Sequence, residues 1–474
     1  MSFKTYALED VLEITSSKRI KMADYVQSGI PFYRSKEIIE KSNNQPVSTD
    51  IFITCEHFDK IKMKFGAPEA GDILLTSVGT LGVSYQVSDD DLFYFKDGNL
   101  TWFRNFNNRV LSGYIYCWLK SPSARKKLDE ISIGTTQRAL TIASLKKIRI
   151  KIPSLDVQKK IVFIYESLSK KIINNGKTNQ TLEQMAQALF KSWFVDFEPV
   201  KAKIAVLKAG GSQEEATLVA MTAISGKDAD ALAVFEREQP EQYAELKATA
   251  ELFPSAMQES ELGEIPEGWV LSEIGAQIDI AGGATPPTKT PEFWNNGDIH
   301  WTTPKDLSNV EEKILLHTER KITKAGLGKI SSGLLPVNTV LMSSRAPVGY
   351  LAIAKVPVAI NQGYIAMKCN KELSPEFVLQ WCSANMPEIV SRASGTTFAE
   401  ISKKNFNPIP LVKPPVELVK SYTKQASAVY SLIENNMREN NSLTQLRDTL
   451  LPKLLSGEIT LPEAEQAVSE AENV

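Results

Sequence analysis

The chain repeats itself, and this duplication constrains its fold more than any other feature of the sequence. The segment GTTQRALTIASLKKIRIKIPSLDVQKKIV begins at Gly134, and its copy GTTFAEISKKNFNPIPLVKPPVELVKSYT begins at Gly395. The offset of 261 residues continues without a gap through the helical pattern that follows, where Leu182 aligns with Leu443. A match of this length predicts two copies of one structural unit.

Each copy starts with a globular block of about 150 residues, in which short apolar runs alternate with Gly, Pro and Asn turns. The predicted strands are Ile73–Ser77, Val83–Val87, Lys147–Ile152, Val340–Ser344, Tyr350–Ala354 and Asn407–Val412. The predicted helices between them include Tyr114–Leu119 and Pro375–Cys382. The sequence therefore predicts a duplicated domain of mixed α/β class.

A long helical pattern follows each block, after Pro153 and after Pro414. Its inward positions recur at alternating steps of four and three residues, which is the repeat of a left-handed coiled coil. These positions are Leu168, Ile172, Asn175, Asn179, Leu182, Ala186, Leu189 and Trp193 in the first helix, and Val429, Ile433, Asn436, Asn440, Leu443, Arg447 and Leu450 in the second. Two matching seams within one chain predict that the two helices pair with each other.

Asparagines interrupt both seams at the same level, at Asn175 and Asn179 in the first helix and at Asn436 and Asn440 in the second. A buried Asn fixes the register of a coiled coil, because a shifted partner leaves its amide unsatisfied. The alternative is that these residues lie in a loose, solvated part of the helices. The Asn175-Gly176 pair is also compatible with a turn that kinks the first helix.

The direction of pairing decides where the blocks lie. An antiparallel coiled coil would place them at opposite ends of a rod, related by a pseudo-twofold axis, whereas a parallel one would place both at one end. We favour the antiparallel form, because it demands less of the connector. The predicted organisation is a first block at 1–155, a first helix at 156–197, an acidic helical connector at 198–262, a second block at 263–415, a second helix at 416–457 and an acidic tail at 458–474.

The net charge of −2, from 54 basic and 56 acidic residues, conceals an uneven distribution. Residues 1–155 carry a net charge of +5 and residues 268–416 carry +3, whereas residues 198–267 carry −8. The tail, 458–474, contains five Glu and no basic residue. Two mildly basic blocks are compatible with nucleic-acid binding at two places.

Other features exclude several classes of protein. No run of eighteen apolar residues exists, so no membrane span is predicted, and the N-terminus lacks the pattern of a secretory signal. The four cysteines form no CxxC, which argues against a zinc site and favours a cytoplasmic protein with reduced thiols. No phosphate-binding loop and no duplicated catalytic grouping occur, so the sequence favours a binding protein over an enzyme and predicts no metal.

In this organisation the sequence resembles the DNA specificity (S) subunit of Type I restriction-modification systems. ALFKSWFVDFEPVKAK (188–203) is similar to the central spacer of that family, and LRDTLLPKLLSGEI (446–459) is similar to its C-terminal segment. SELGEIPEGW (260–269) resembles the entry to its second recognition domain, and VAINQGYIAM (358–367) and SGTTFAEIS (394–402) resemble motifs inside these domains. The connector at 204–259 is longer and more acidic than the family pattern.

The resemblance implies that the blocks are target-recognition domains, each reading one half of a split double-stranded DNA sequence, and that the coiled coil spaces the halves. It implies a non-catalytic subunit that scaffolds two methyltransferase (M) subunits, which methylate adenine, and that two restriction (R) subunits can join. No cofactor is expected on this chain, because S-adenosylmethionine, ATP and Mg belong to the partner subunits. A 30-residue helix spans roughly 45 Å, more than one B-DNA turn of about 34 Å.

DNA recognition needs cations, amides and hydroxyls on loops at the edge of a domain. The candidates are Lys18, Arg19, Lys21, Arg34, Lys36 and Arg138 in the first block, and Thr288, Lys289, Lys305, Arg345 and Thr396 in the second. Arg345 occupies a predicted strand-end turn, and its counterpart in the first copy is Val78, a difference that unlike base specificities would allow. For each candidate, a solvated side chain without a DNA role is the alternative.

Apolar residues crowd the ends of both helices, with Trp193, Phe194 and Phe197 in the first and Leu454 and Leu455 in the second. They indicate either a contact with the M subunit or an intramolecular staple. Two other functions remain in competition with the DNA reader. One is a self-contained DNA methyltransferase or nuclease, which would need cofactor motifs that the sequence lacks, and the other is a coiled-coil adaptor that does not read DNA.

Overall fold

The structure is a computed structural model that describes residues 2–134, 138–308, 310, 312–395 and 399–472. The chain divides into two units. Unit 1 comprises Met1–Asn175 and Arg438–Val474, and unit 2 comprises Gly176–Met437. Each unit therefore contains one block of the duplicated sequence together with part of each long helical segment.

The block of unit 1 alternates short strands with short helices. Its strands are β1 (Lys4–Ala7), β2 (Glu13–Thr15), β3 (Ile30–Tyr33), β4 (Phe52–Ile53), β5 (Ile73–Thr76), β6 (Ser84–Gln86), β7 (Tyr94–Phe95), β8 (Leu100–Arg104) and β9 (Arg149–Ile152). Its helices are α1 (Ser35–Ser42), α2 (Cys55–Phe65), α3 (Ser112–Leu119), α4 (Pro122–Ile131) and α5 (Ile142–Lys146), with short 3-10 helices at Leu8–Asp10 and Met22–Asp24.

The described part of this block contains three sheets. The main sheet of unit 1 has the order β2-β8-β5-β6, and β5 is buried along its whole length. The smaller sheet has the order β4-β3-β7, with β3 parallel to β7. Strand β1 pairs antiparallel with β9, whose residues alternate between exposed and buried as the sequence predicts for a half-buried strand.

A first long helix and a helical connector follow. They are α6 (Leu155–Phe194), α7 (Glu198–Lys208), α8 (Gln213–Ser225), α9 (Ala229–Glu238) and α10 (Pro240–Glu251). The connector has its own small core, in which Met221, Leu232 and Ala250 are buried together. The buried Lys203 Nζ donates hydrogen bonds to the carbonyls of Ala250 (3.1 Å) and Phe253 (2.6 Å), which ties α7 to the end of α10.

The block of unit 2 is built from the same kinds of element. Its strands are β10 (Met257–Gln258), β11 (Ile265–Pro266), β12 (Val270–Glu273), β13 (Asp279–Ala281), β14 (Ile299–Thr302), β15 (Ile314–Leu315), β16 (Arg320–Ile322), β17 (Val340–Ser344), β18 (Val348–Ala354), β19 (Val358–Ile360), β20 (Tyr364–Lys368) and β21 (Pro410–Lys413). Its helices are α11 (Ile274–Gln277), α12 (Pro304–Leu307), α13 (Lys324–Leu327), α14 (Pro375–Ala384), α15 (Met386–Ser391) and α16 (Lys403–Phe406), with a 3-10 helix at Pro291–Phe293.

The sheets of unit 2 repeat those of unit 1. The main sheet of unit 2 has the order β13-β20-β17-β18-β15, of which β15 is an additional edge strand. The smaller sheet has the order β16-β14-β19, and its parallel pair, β14 with β19, corresponds to β3 with β7. The antiparallel pair β12-β21 corresponds to β1-β9, and β10 pairs with β11. The duplication and the mixed α/β class predicted from the sequence are confirmed.

The second long helix is α17 (Val416–Ser456), and α18 (Leu461–Glu472) follows it. Within unit 2, Asn179 contacts Asn436 and Glu183 contacts Tyr430, so residue numbers rise along α6 as they fall along α17. The predicted antiparallel pairing is confirmed. Gly176 lies inside α6, which is assigned as one continuous helix, so a turn at this position was a wrong prediction.

In unit 1 the same pairing holds, with the Asn175 amide at 3.0 Å from Asn440 Oδ1 and the Arg447 guanidinium 5.8 Å from the ring of Tyr165. In each unit, one long helix contributes to the core of the block that belongs to the other copy. Across the ranges that the structure describes, no helix has the length and apolar content needed to cross a membrane.

Candidate nucleic-acid interface

Loops gather at one end of the main sheet of unit 2, and we call this the loop edge of unit 2. It comprises residues 282–290 after β13, 345–347 after β17, 361–363 before β20, and the bridged residues Ser394 and Glu400. The register of β13 and β17 against β20 places all of these strand ends together. Polar loops held at the end of a rigid sheet are suited to binding.

Close backbone contacts hold these loops in place. The Ala284 amide donates to the Ile360 carbonyl at 3.0 Å, and the Ser344 amide donates to the Gly363 carbonyl at 2.8 Å. A Cβ at Gly283 would lie 1.9 Å from the Ile360 oxygen, so this approach requires glycine. Ile401 also donates to the Ser344 carbonyl, at 3.0 Å. The edge is therefore a fixed surface.

The loop edge of unit 2 presents a cation and an amide side by side. Arg345 has a side chain 36% exposed and lies 3.7 Å from Glu400 through Nη1. Gln362 is exposed on the neighbouring loop, where its Oε1 accepts a hydrogen bond of 2.8 Å from Thr285 Oγ1. A guanidinium suits guanine and a carboxamide suits adenine in the major groove. This pair has the chemistry that base reading needs.

The remaining candidates of the second block differ in position. Thr288 and Lys289 are exposed on the first loop of this edge. Lys305 lies on α12 with a side chain 76% exposed, and its ammonium pairs with Glu319 at 2.9 Å. Thr396 lies outside the described residues. The structure thus places Arg345, Thr288 and Lys289 on one edge and gives Lys305 an intramolecular partner.

The same four loops form the loop edge of unit 1. They are residues 16–21 after β2, 77–81 after β5, 97–99 before β8, and the bridged residues Ile133 and Ala139. Their contacts repeat those of unit 2, since the Ser77 amide donates to the Asn99 carbonyl (2.8 Å) and Leu140 donates to Ser77 (2.9 Å). Ile133 and Ala139 exchange two hydrogen bonds, as Ser394 and Glu400 do in unit 2.

The first loop of this edge carries Lys18, Arg19 and Lys21, which are all exposed. Two side-chain hydrogen bonds fix its start, from Ser16 Oγ to the Leu100 carbonyl (3.2 Å) and from Ser17 Oγ to the Phe95 carbonyl (2.7 Å). The three cations are therefore displayed by an anchored loop. Their role in DNA binding stays a prediction.

The other candidates of the first block are held by carboxylates. Arg34 pairs with Glu37 at 2.9 Å and with Asp50 at 3.1 Å, and the Glu37 side chain is fully buried. Arg138 lies 2.9 Å from Asp129. Lys36, on α1, has a carboxylate partner at 3.8 Å. These pairings give all three side chains intramolecular contacts. For Arg34, which precedes α1, the two ion pairs are a sufficient structural reason for an arginine at this position.

Arg345 and Val78 occupy equivalent positions, as the sequence alignment predicts. Each forms an isolated bridge with the fourth loop of its edge, Arg345 with Glu400 and Val78 with Ala139. One edge thus presents a cation where the other presents an apolar side chain. Two surfaces that recognise different sequences need different side chains, and here equivalent backbone frameworks carry them.

The apolar cluster at the end of α6 lies in the interior of unit 2. Trp193 and Phe194 are 0% and 8% exposed, and their rings lie 6.0 and 5.2 Å from Tyr422 of α17. Phe197 packs edge-on against Trp269 at 5.5 Å. These contacts support the alternative of an intramolecular staple, and a contact with the M subunit stays a prediction.

The leucines near the end of α17 likewise support an intramolecular staple, in unit 1. Leu454 and Leu455 are 1% and 7% exposed and share a core with Ile161 and Leu168 of α6. Side chains buried to this extent expose little apolar area to a partner. Their contribution to the chain is the packing of the helix pair against the first block.

The four seam asparagines meet across the helix pair. Asn175 Nδ2 donates to Asn440 Oδ1 at 3.0 Å in unit 1, and Asn436 Nδ2 donates to Asn179 Oδ1 at 2.8 Å in unit 2. Asn179 is fully buried, whereas the other three are half-buried. These contacts favour a role of the asparagines in fixing the register of the helix pair, rather than a place in a loose, solvated part of the helices. The role itself stays a prediction.

Several residues of the interface were not predicted from the sequence. Gln362 and Thr285 lie on the loop edge of unit 2, and the Lys403 ammonium approaches the loop at Gly282. The VAINQGYIAM motif contains Gln362, so a family-typical motif next to a predicted strand was the available signal. Among the described residues, no three His, Cys, Asp or Glu side chains converge in a way that could hold a metal ion.

Comparison with known proteins agrees with these features. Residues 2–184 and 266–445 match the Type I restriction modification DNA specificity domain family. The HindI specificity subunit of Haemophilus influenzae is 32% identical over 434 residues, which cover 88% of this chain and 93% of that protein. The MjaIX specificity subunit of Methanocaldococcus jannaschii is 34% identical over 190 residues, which cover 40% of this chain and 44% of that protein.

A solved structure shares the fold at low sequence identity. The crystal structure of the Type I restriction-modification system S subunit from M. genitalium superposes with a TM-score of 0.51, at 13% identity and over 96% of both chains. The match to the family covers both copies of the duplicated unit, and the similarity to the Haemophilus protein covers most of each sequence. The chain therefore belongs to the Type I restriction-modification DNA specificity domain family.

Proposed function

We propose that this chain is the DNA specificity subunit of a Type I restriction-modification complex, and that each loop edge reads one half of a bipartite site in double-stranded DNA. The observation that carries the proposal is the recurrence of four equivalent loops at the end of both main sheets, with different side chains on them. Because the framework occurs twice, the chain can contact two half-sites. Because Arg345 in one copy corresponds to Val78 in the other, the two half-sites can differ in sequence.

Family membership supports assembly with methyltransferase and restriction subunits as well as with DNA. We propose two M subunits and, in complexes that cleave DNA, two R subunits. A chain that contains two copies of one fold can offer equivalent contacts to two copies of a partner. Because host and invading DNA are both reached in the cytoplasm, we place this host-defence function there.

We further propose that the chain is non-catalytic, and that S-adenosylmethionine, ATP and Mg bind to the partner subunits. Family membership supports this, and two buried thiols are poor candidates for a catalytic nucleophile. Burial raises the pKa of the Cys117 and Cys382 thiols, which keeps them protonated and poorly nucleophilic. Methyl transfer by the isolated chain would contradict the proposal and favour a self-contained methyltransferase.

A binding selection tests DNA reading. The chain, co-purified with its M subunit, is incubated with a library of duplexes containing a randomised central region, and the retained duplexes are sequenced. The account predicts enrichment of two short motifs separated by a fixed gap, and binding that weakens steeply with salt. If the chain assembles with the M subunit but its retention of duplexes depends on neither salt nor sequence, a coiled-coil adaptor is favoured instead.

A further inference from the structure

A basic and aromatic surface continues from the loop edge of unit 1 onto helix α2. Ile20 of the first loop is buried in one cluster with Ile61 of α2, which holds the loop against the helix. The ring of Phe65, at the end of α2, lies 5.1 Å from Lys18 Nζ and 5.4 Å from Lys64 Nζ. Two segments that are distant in sequence thus bring their cations to one ring.

None of the cations of this surface forms an ion pair with a carboxylate within the ranges described for unit 1. We call Lys62 and Lys64, which are both exposed on α2, the basic flank of unit 1; the exposed Lys18, Arg19 and Lys21 beside them belong to the loop edge of unit 1. Lys60, on the same helix, differs because it is paired with Glu56. Phe65 is 39% exposed at the centre of the surface. A concentration of unpaired positive charge raises the local concentration of anions.

Unit 2 carries a corresponding surface at the equivalent place in the fold. Strand β4 leads through the N-cap Thr54 into α2, and strand β16 leads through the N-cap Thr323 into α13. Next to α13, the Arg320 guanidinium lies 3.5 Å from the ring centroid of Trp294, which itself packs edge-on against Trp301 at 5.0 Å. Both copies of the fold therefore place cations against aromatic rings beside the smaller sheet.

The basic flank of unit 2 consists of Arg320, Lys324 and Lys329, which are exposed and lack a carboxylate partner in the described part of the unit. Lys329 Nζ lies 5.6 Å from the ring of Phe293. Lys62 and Lys64 lie in the last turn of α2, where a helix dipole alone would favour cations. That explanation does not extend to Arg320, which lies on a strand, or to Lys18, which lies on a loop.

From these observations we propose that the basic flanks bind the sugar-phosphate backbone of duplex DNA outside the bases read by the loop edges. The inference rests on the proposed DNA-reading function and extends it to a second contact in each unit. Arg and Lys contacts to phosphates fix the position of a protein on the duplex without reading sequence. Aromatic contacts order the long side chains, which reduces the entropy lost when they bind.

The flanks suit phosphates better than base edges for a physical reason. Lys62, Lys64, Lys324 and Lys329 carry flexible ammonium groups, which act as point charges and select poorly among bases. They lie on or beside helices, whereas the amide and guanidinium of Gln362 and Arg345 lie on the sheet-end loops. This difference in side chains predicts that the loop edges determine which sequence is bound, and that the flanks determine how strongly any duplex is bound.

The test is the salt dependence of DNA binding. Lys62→Gln/Lys64→Gln is made in the full chain, in complex with its M subunit, and affinity for a random-sequence 40-bp duplex is measured from about 50 to about 200 mM salt. Each lost phosphate contact should reduce the slope of log affinity against log salt by about 0.9, so the double variant should lose about 1.8. Lys324→Gln/Lys329→Gln should give a similar reduction.

A matched variant controls for net charge. Lys208→Gln/Lys247→Gln removes two exposed charges from the connector and should keep the wild-type slope. The motif enriched by selection should be the same for the wild type and both flank variants, since affinity for all duplexes falls together. Because the flank lysines are exposed, melting temperatures should be unchanged, which excludes misfolding as the cause.

Two results would overturn the inference while leaving the proposed function in place. One is a wild-type slope in both flank variants, and the other is a loss confined to duplexes that contain the preferred motif. Absence of salt-dependent binding by the wild-type complex would instead contradict the proposed DNA-reading function itself. The two failures are therefore distinguishable in one series of titrations.

Discussion

At the scale of single residues, the proposed function makes specificity depend on which side chains the loop edges display. Arg345 and Val78 occupy equivalent backbone positions, so the framework imposes no difference between them. A guanidinium can donate two hydrogen bonds to guanine, whereas a valine offers only apolar contact. The contrast makes Arg345 the most informative residue to substitute.

We expect Arg345→Ala to relax one half of the recognised motif and to leave the other half intact. Loss of a bidentate base contact costs about 1–3 kcal/mol of discrimination at that base pair. Sequencing of duplexes selected by the variant complex measures this directly. Arg237→Ala, which removes an exposed guanidinium from the connector, is the matched control. Equal relaxation of both halves would indicate scaffold damage and contradict the assignment.

Gln362 shows why part of the interface could not be predicted. Its partner Thr285 is 77 positions away in the sequence, and only the pairing of β13 with β20 brings the two loops together. Arg345 could be predicted because a strand pattern and a Pro turn lie on either side of it. Local patterns thus located the strand-end turn, whereas the tertiary contact that orients the amide left no local signal.

Lys120 gives a prediction about pH. Burial, with a smaller contribution from Arg447, lowers the pKa of Lys120 from 10.5 to about 8. Between these values the unfolded chain binds more protons than the folded chain, so the contribution of this group to stability increases with pH. Because Lys120 Nζ also donates to Ser42 Oγ (2.9 Å) and to the Ser84 carbonyl (3.0 Å), Met has costs of its own, and we expect the trend: the melting temperature of Lys120→Met relative to wild type should be highest near pH 7 and fall toward pH 10.5. A pH-independent difference would contradict this assignment.

At the scale of elements, the helix pair belongs to the core of each unit. Long periodic patterns predicted α6 and α17 well, because a seam at alternating steps of four and three persists over many turns. The smaller sheets were not predicted, since β4 and β7 contain two residues each and depend on pairing with β3. The burial of Trp193 likewise required knowledge of its contacts, because an apolar helix end fits a partner as well as a core.

We expect Trp193→Ala to destabilise unit 2 by about 3–5 kcal/mol, the usual cost of removing a large buried aromatic side chain. Thermal unfolding of the full chain should show a lowered transition. Met185→Ala on the same helix, at a side chain 56% exposed, should have little effect and is the control. A stable Trp193→Ala chain that fails to bind the M subunit would instead favour the partner-contact interpretation.

The asparagine pair of unit 2 allows a double-mutant cycle. Asn436→Leu leaves the buried Asn179 amide without its partner and should cost about 1–3 kcal/mol, whereas Asn179→Leu/Asn436→Leu should recover most of this loss. Unfolding measurements on the four proteins of the cycle give the coupling energy. Purely additive effects would show that the two amides do not act as a pair and would remove the support for a register role.

At the scale of the whole molecule, the duplication explains both the composition and the function. A net charge of −2 conceals two basic blocks, and the acidic connector and tail offset them. Two blocks with one framework carry two different sets of exposed side chains, which is the requirement for a bipartite site. The acidic connector, α7–α10, has its own core.

The central claim is that the two loop edges read two separate half-sites, and the methylome tests it most directly. The chain is expressed with its M subunit in cells that lack other adenine methyltransferases, and methylated positions are mapped by single-molecule sequencing. The account predicts adenine methylation within one motif made of two short specific parts separated by a fixed stretch of unspecified bases. Methylation without sequence preference, or within a single uninterrupted motif, would contradict it.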